Sequence, residues 1–183
     1  MTKRSWISRL TQSDFMGPLA ALLVISTFIA VTTPAFLSLQ NFRNISLQVA
    51  VLSIVAIGST VVILAGGIDL SPGSMIAFLS MCLAVFVKLE GFNLWVAIRG
   101  TLLLGAALGA ITGGLVAYLR TPAFIATLAT LSAFKGLSLT IAGGSPIFQL
   151  SPELRNLFYG TFLGLPLPFI YVIVLYAIFY VAL

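Results

Sequence analysis

Apolar residues in this chain neither alternate nor recur once per helical turn; they run on. The only breaks are thirteen charges, at Lys3, Arg4, Arg9, Asp14, Arg43, Asp69, Lys88, Glu90, Arg99, Arg120, Lys135, Glu153 and Arg155. Between them lie apolar stretches over residues 15–42, 44–68, 70–87, 100–119, 121–142 (interrupted by Lys135) and 169–183. A membrane-spanning helix needs about 20 mostly apolar residues, so each stretch is a candidate span. The pattern predicts an all-α, polytopic transmembrane helix bundle of six spans, the sixth cut short. A transmembrane barrel would instead show short segments alternating polar and apolar.

Composition agrees. The chain is 60% hydrophobic and 7% charged, with a mean hydropathy of +1.17. Soluble domains carry about 25% charged residues, so this surface requires a bilayer. The net charge of +5 lies at span edges, where it sets orientation, and does not point to nucleic acid. Residues 1–14 read as a cytoplasmic tail, because Lys3, Arg4 and Arg9 precede the first span; residues 15–183 read as the transmembrane domain. The run after Asp14 exceeds the 7–15 residues of a signal-peptide core and lacks an A-x-A cleavage site, so it is expected to be an uncleaved helix. With no histidine, imidazole catalysis and His metal ligands are excluded, and no metal or cofactor is expected. The lone Cys82 forms no internal disulfide.

Pro34 should stop or kink the first span, with a connection over 35–44 and a second span over 45–65. A polar turn is expected at 88–93, and Arg120-Thr121-Pro122 should turn into the fifth span. The fourth span carries Gly105, Gly109 and Gly113 at four-residue spacing, flanked by Ala106, Ala110 and Gly114. A small-residue face of this kind lets helices approach closely. Helix packing is therefore the expected role, with direct substrate contact the alternative. Residues 143–168 read as a Gly- and Pro-rich loop.

The most unusual stretch is Gly66-Gly67-Ile68-Asp69-Leu70-Ser71-Pro72-Gly73-Ser74. Two glycines can end a helix. Ser71 suits an N-cap and Pro72 the first position of the next helix. Asp69 would lie near that helix's positive end. The run that follows, to residue 87, is about 24 Å long as a helix, short of a hydrocarbon core of about 30 Å. An interrupted helix pair around Asp69 points to a substrate pathway; a capped surface turn with a solvated Asp69 is the other reading. Lys135, followed by Gly136, suggests a second break near Gly136 or a lysine snorkelling to the interface.

These residues carry a resemblance. Asn41-Phe42-Arg43-Asn44-Ile45, followed by Ile63-Leu64-Ala65-Gly66-Gly67-Ile68-Asp69-Leu70-Ser71-Pro72-Gly73-Ser74, resembles the permeases of bacterial sugar ABC importers, the ribose, xylose, arabinose and galactose type. Pro72 stands where that family commonly has Val. Gly113-Gly114-Leu115-Val116-Ala117 resembles its N-G-x-x-V-A, with Gly for Asn. Thr121-Pro122-Ala123-Phe124-Ile125-Ala126-Thr127-Leu128, then Phe134-Lys135-Gly136 and Gly143-Gly144-Ser145-Pro146-Ile147, resembles its P-A-F-I-x-T-L, basic-Gly and G-x-P-I run.

The resemblance implies a non-enzymatic permease subunit of an ATP-driven monosaccharide importer in the bacterial inner membrane. Gly66, Gly67, Asp69, Ser71, Pro72, Gly73, Ser74 and Lys135 would border or gate its pathway. The implied partners are a second permease subunit (identical or not), cytoplasmic ATP-binding subunits and a periplasmic sugar-binding protein, besides membrane lipid. ATP chemistry must come from a partner, since G-x-x-x-x-G-K-[ST] is absent. Permeases of that family are considerably longer, so the chain is expected to be an N-terminal part that inserts but does not drive uptake alone. An intramembrane enzyme, a secondary transporter or channel, and a non-transporting membrane scaffold are the competing classes. An enzyme lacks a carboxylate pair, and ion coupling has only Asp69 as an intramembrane acid.

Overall fold

A computed structural model describes residues 16–141, 143–145, 147, 151–162 and 165–182. The expected tail over 1–14 and Pro146 lie outside the described residues. The chain divides into two compact units, Met1–Ile45 and Ser46–Leu183.

In the first unit, α1 spans Met16–Thr32 with no buried residue. Its hydroxyls turn back on its own carbonyls, Thr27 Oγ1 to Leu23 O at 2.8 Å and Thr32 Oγ1 to Phe28 O at 2.9 Å. This satisfies polar groups on an apolar helix. Pro34 opens a 3-10 turn, Pro34–Leu37. Ser38 Oγ then accepts from Asn41 N–H at 3.2 Å, and Asn41 Nδ2 donates to Phe36 O at 2.8 Å. With these caps α2, Leu39–Leu64, begins six residues before the expected 45. The expected connection over 35–44 is thus half helix: Arg43 rides on the first turns instead of marking a loop.

The second unit is built on α3 (Pro72–Lys88), α4 (Leu94–Ala117) and α5 (Ala123–Ile141). α3 packs along α5 and, less extensively, along α4. Its core is Phe78 stacked on Phe134, ring centroids 6.0 Å apart, with Cys82 beside them. Met75, Leu79, Phe86, Leu104 and Leu108 close over this cluster. At Gly105 a Cβ would lie 2.9 Å from Leu79 Cδ1, so the absent side chain admits Leu79. α4 starts at Leu94, because Asn93 Oδ1 accepts from Trp95 N–H at 2.9 Å. Arg99 therefore lies inside the helix, which corrects the expected start at residue 100.

α5 is continuous through Lys135 and Gly136, so the break considered near Gly136 is not present. A single glycine within an otherwise strong helical run costs only about 1 kcal/mol, and neither terminator chemistry nor a proline follows it. The helix ends instead at Gly143 (φ 59°), whose N–H donates to Thr140 O at 3.1 Å while Gly144 N–H reaches Leu139 O at 2.9 Å.

The region expected to be a loop over 143–168 contains a helix, α6 (Pro152–Tyr159). Ser151 caps it by accepting from Leu154 N–H. Two short strands follow, β1 (Thr161–Phe162) and β2 (Leu165–Pro166), paired antiparallel with Thr161 opposite Pro166. Then comes α7, Leu167–Ala182, and Tyr171 O–H donates to Leu157 O at 3.3 Å.

The architecture is an all-α membrane helix bundle. Of the six apolar helices among the described residues, α2, α4 and α5 are long and apolar enough to cross a membrane. α1, α3 and α7 are shorter, at 17, 17 and 16 residues, or about 25 Å. Counting gaps between charges gave five full spans and a shortened sixth because it included apolar turns such as 33–38 in helix length. Leu52, Ile63, Leu102 and Leu103 are exposed, as lipid-facing side chains require.

Candidate functional site

α2 ends in a specific terminator. Gly66, at φ 77°, holds the left-handed position; its N–H donates to Ile63 O at 2.9 Å, and Gly67 N–H reaches Val62 O at 2.9 Å. This pair of bonds is a Schellman cap, which glycine adopts at little cost. A Cβ on Gly67 would lie 3.2 Å from Val62 Cγ1 and 3.5 Å from Ala123 Cβ, so this glycine lets the chain pass close to the start of α5.

Asp69 organises the next corner. Its Oδ1 accepts from Ser71 N–H at 2.8 Å and from Ser71 Oγ–H at 2.7 Å. Hydrogen bonds to an ionised group are the strong ones, and the positive end of α3 adds to them. Ser71 occupies the N-cap position, but its side chain does not cap. At φ −81°, ψ −19° its backbone is already helical, not extended as a capping side chain requires, and the adjacent carboxylate captures its hydroxyl. The expected capping role of Ser71 is corrected accordingly. Ser71 O instead accepts from Ser74 Oγ at 2.9 Å and Met75 N–H at 2.9 Å. Pro72 is the first helical residue. Across the break, Thr127 Oγ1 of α5 donates to Ile68 O at 3.3 Å. Asp69 is half-buried and Ser71 buried.

Beside this corner lies a cavity of about 560 Å³. α2 supplies one wall, the break and α3 another, α4 a third and the start of α5 the fourth. Gly67, Asp69, Ser71 and Pro72 line it, as do Gly109 and Gly113; Gly66, Gly73, Ser74, Gly105 and Lys135 do not. A Cβ on Gly109 or Gly113 would meet nothing within 4 Å. Lys135 is exposed, about 12 Å along α5 from Thr127, and its carbonyl accepts from Ser138 Oγ. Thr112 and Thr127, both buried and both on the wall, were not singled out from sequence. Hydroxyls are common enough in apolar helices that only their placement distinguishes them; Thr127 did sit within a recognisable run. Among the described residues no three His, Cys, Asp or Glu side chains come together. The arrangement is a carboxylate corner, closed by its own hydrogen bonds to Ser71, on an apolar cleft.

Comparison with known proteins gives this geometry a setting. Residues 41–183 match the family described as branched-chain amino acid transport system / permease component. The chain is 41% identical over 154 residues to the ribose import permease protein RbsC of Escherichia coli K12, covering 82% of this chain and 48% of that protein. It is 38% identical over 140 residues to the xylose transport system permease protein XylH of E. coli K12, covering 76% and 36%. To the autoinducer 2 import system permease protein LsrC of Salmonella typhi it is 35% identical over 147 residues, covering 80% and 42%. The chain spans about half the length of the curated relatives it matches. No solved structure matches it.

Proposed function

We propose that this chain, which belongs to the branched-chain amino acid transport system / permease component family, is a membrane permease subunit of an ATP-driven sugar importer. One observation carries the reading: the match over residues 41–183, with relatives that import ribose and transport xylose. The subunit is not itself an enzyme. It sits in the bacterial inner membrane with its N-terminus in the cytoplasm. It works with a second permease subunit, cytoplasmic ATP-binding subunits that hydrolyse ATP, and a periplasmic sugar-binding protein.

In this reading the corner from Gly66 to Ser74 borders the pathway and acts in its gating. The support is physical. A carboxylate inside the bilayer costs about 2.5–3.5 kcal/mol on insertion scales, and Asp69 is half-buried beside an apolar cleft. The Schellman cap and the Asp69–Ser71 bonds hold it in a fixed place. Lys135, away from the corner, takes a role at the pathway's edge. Gly105, Gly109 and Gly113 pack helices.

The test is a chimera that joins this chain to the unmatched remainder of E. coli RbsC, expressed in a strain lacking RbsC. Ribose uptake above the empty-vector strain is expected, and Asp69→Asn should lower it several-fold at equal membrane abundance. A well-inserted chimera without uptake counts against the importer reading. Undiminished uptake by Asp69→Asn returns Asp69 to the role of a structural turn.

A further inference from the structure

The cavity beside the corner is open where a packed bundle would be filled. Protein interiors are packed to crystal density, yet a cleft of about 560 Å³ stays unfilled between α2, α3, α4 and α5. Its walls are mainly aliphatic, and its floor is formed where Gly58, Gly109 and Gly113 present no side chain. A monosaccharide needs several convergent hydrogen-bonding groups. Here the polar groups are mostly already paired: Asp69 with Ser71, Thr112 with Leu108 O at 3.0 Å, and Thr127 with Ile68 O. The chemistry of the cleft is that of a seat for apolar surface.

We infer that this cleft is the docking groove for one transmembrane helix, supplied by the part of the longer permease that this chain does not match. A helix about 10 Å across has a pitch of about 5.4 Å. The α4 wall of the cleft, residues 109–116, runs about 10 Å, close to two turns. Glycine floors are what helix–helix contacts in a membrane use. A second copy of this chain does not fit. A two-fold dimer sets the same patch against itself, and two concave clefts facing each other leave the void in place. The relatives carry roughly as many residues again as this chain matches, enough for several more helices. The inference rests on the permease reading and deepens the packing role of Gly109 and Gly113: their partner is a helix from outside the chain, whereas Gly105 packs within it, against Leu79.

The test reads association, not transport, so its failure is distinguishable from failure of the importer reading. The chain carrying Cys82→Ala and Gly109→Cys is placed in lipid nanodiscs, alone or co-expressed with the unmatched remainder of E. coli RbsC. A lipid-soluble maleimide should label Gly109→Cys in the chain alone, and labelling should slow by about tenfold when the remainder is present, as expected for a site reached only by local opening. A Leu102→Cys control, on the exposed side of α4, should label more evenly in the two. In parallel, Gly109→Leu should not lower the chain's own thermal unfolding midpoint, because the added side chain enters open space and leucine favours a helix over glycine, while it abolishes co-purification with the remainder. Protection in the chain alone, equal labelling with and without the remainder, or co-purification undiminished by Gly109→Leu would each overturn the inference. The first of these would assign the groove to self-association and the second to lipid.

Discussion

At the scale of single residues, hydroxyl groups show how this chain lives without water. Thr27, Thr32, Thr60, Thr112 and Thr140 each return a hydrogen bond to the carbonyl four residues earlier. Thr101 does not: its Oγ1 is buried with no partner among the described residues. An unsatisfied buried hydroxyl costs about 1–3 kcal/mol, and valine has the same shape and the same β-branched stiffness. Thr101→Val should therefore raise stability by about 1 kcal/mol. Thr112→Val, which removes a made bond, should not. Unfolding midpoints of the two variants in detergent micelles decide the matter; a destabilised Thr101→Val would mean that the hydroxyl has a partner in the membrane.

At the scale of elements, the ends of helices decide the architecture. α2 stops because Gly66 takes a left-handed conformation, which costs an L-residue roughly 1–2 kcal/mol. Space is not the constraint, since a Cβ there meets nothing within 4 Å. Gly66→Ala should thus lose about 1 kcal/mol, and Gly66→Asn, which tolerates that region better, less. Chemical denaturation in micelles measures both, and a loss equal for Ala and Asn would show that something other than backbone conformation is at stake. These ends also explain what was legible in the sequence. Gly-Gly before Asp-x-Ser-Pro is terminator chemistry, and the apolar runs fixed the helices between. Arg43 and Arg99 misled because long basic side chains are tolerated on the first turns of apolar helices. α6 was hidden because eight residues between turns carry too little periodicity to stand out. The cleft was not legible at all: its walls come from four elements, and only packing brings Ile54, Gly67, Gly109 and Thr127 to one space.

At the scale of the Ser46–Leu183 unit, packing assigns turns to ends. The 65–71 break lies against the start of α5, through Gly67 beside Ala123 and Thr127 bonded to Ile68, so it shares an end with the α4–α5 turn at 118–122. The 89–93 turn lies at the other end of α3 and α4. There Phe92, Asn93 and Trp95 face Ser151, Glu153 and Leu157 across a cleft of about 480 Å³. Charge could not have made this assignment. Sequence charge does not show which turns share an end; only after packing groups them does one end carry Arg120 and the other Lys88, Arg99 and Arg155, and orientation follows an excess of Lys and Arg, to which Asp and Glu add little. Sidedness has to be tested directly. Single cysteines at Ile68, Leu119, Glu90 and Glu153, in a Cys82→Ala background, are exposed to a membrane-impermeant maleimide in right-side-out and inside-out vesicles. Ile68→Cys and Leu119→Cys should label from one side, and Glu90→Cys and Glu153→Cys from the other. If either pair splits between the two vesicle types, α3, α4 and α5 do not traverse the bilayer as a unit, and a break that shares its end with the α4–α5 turn loses its basis.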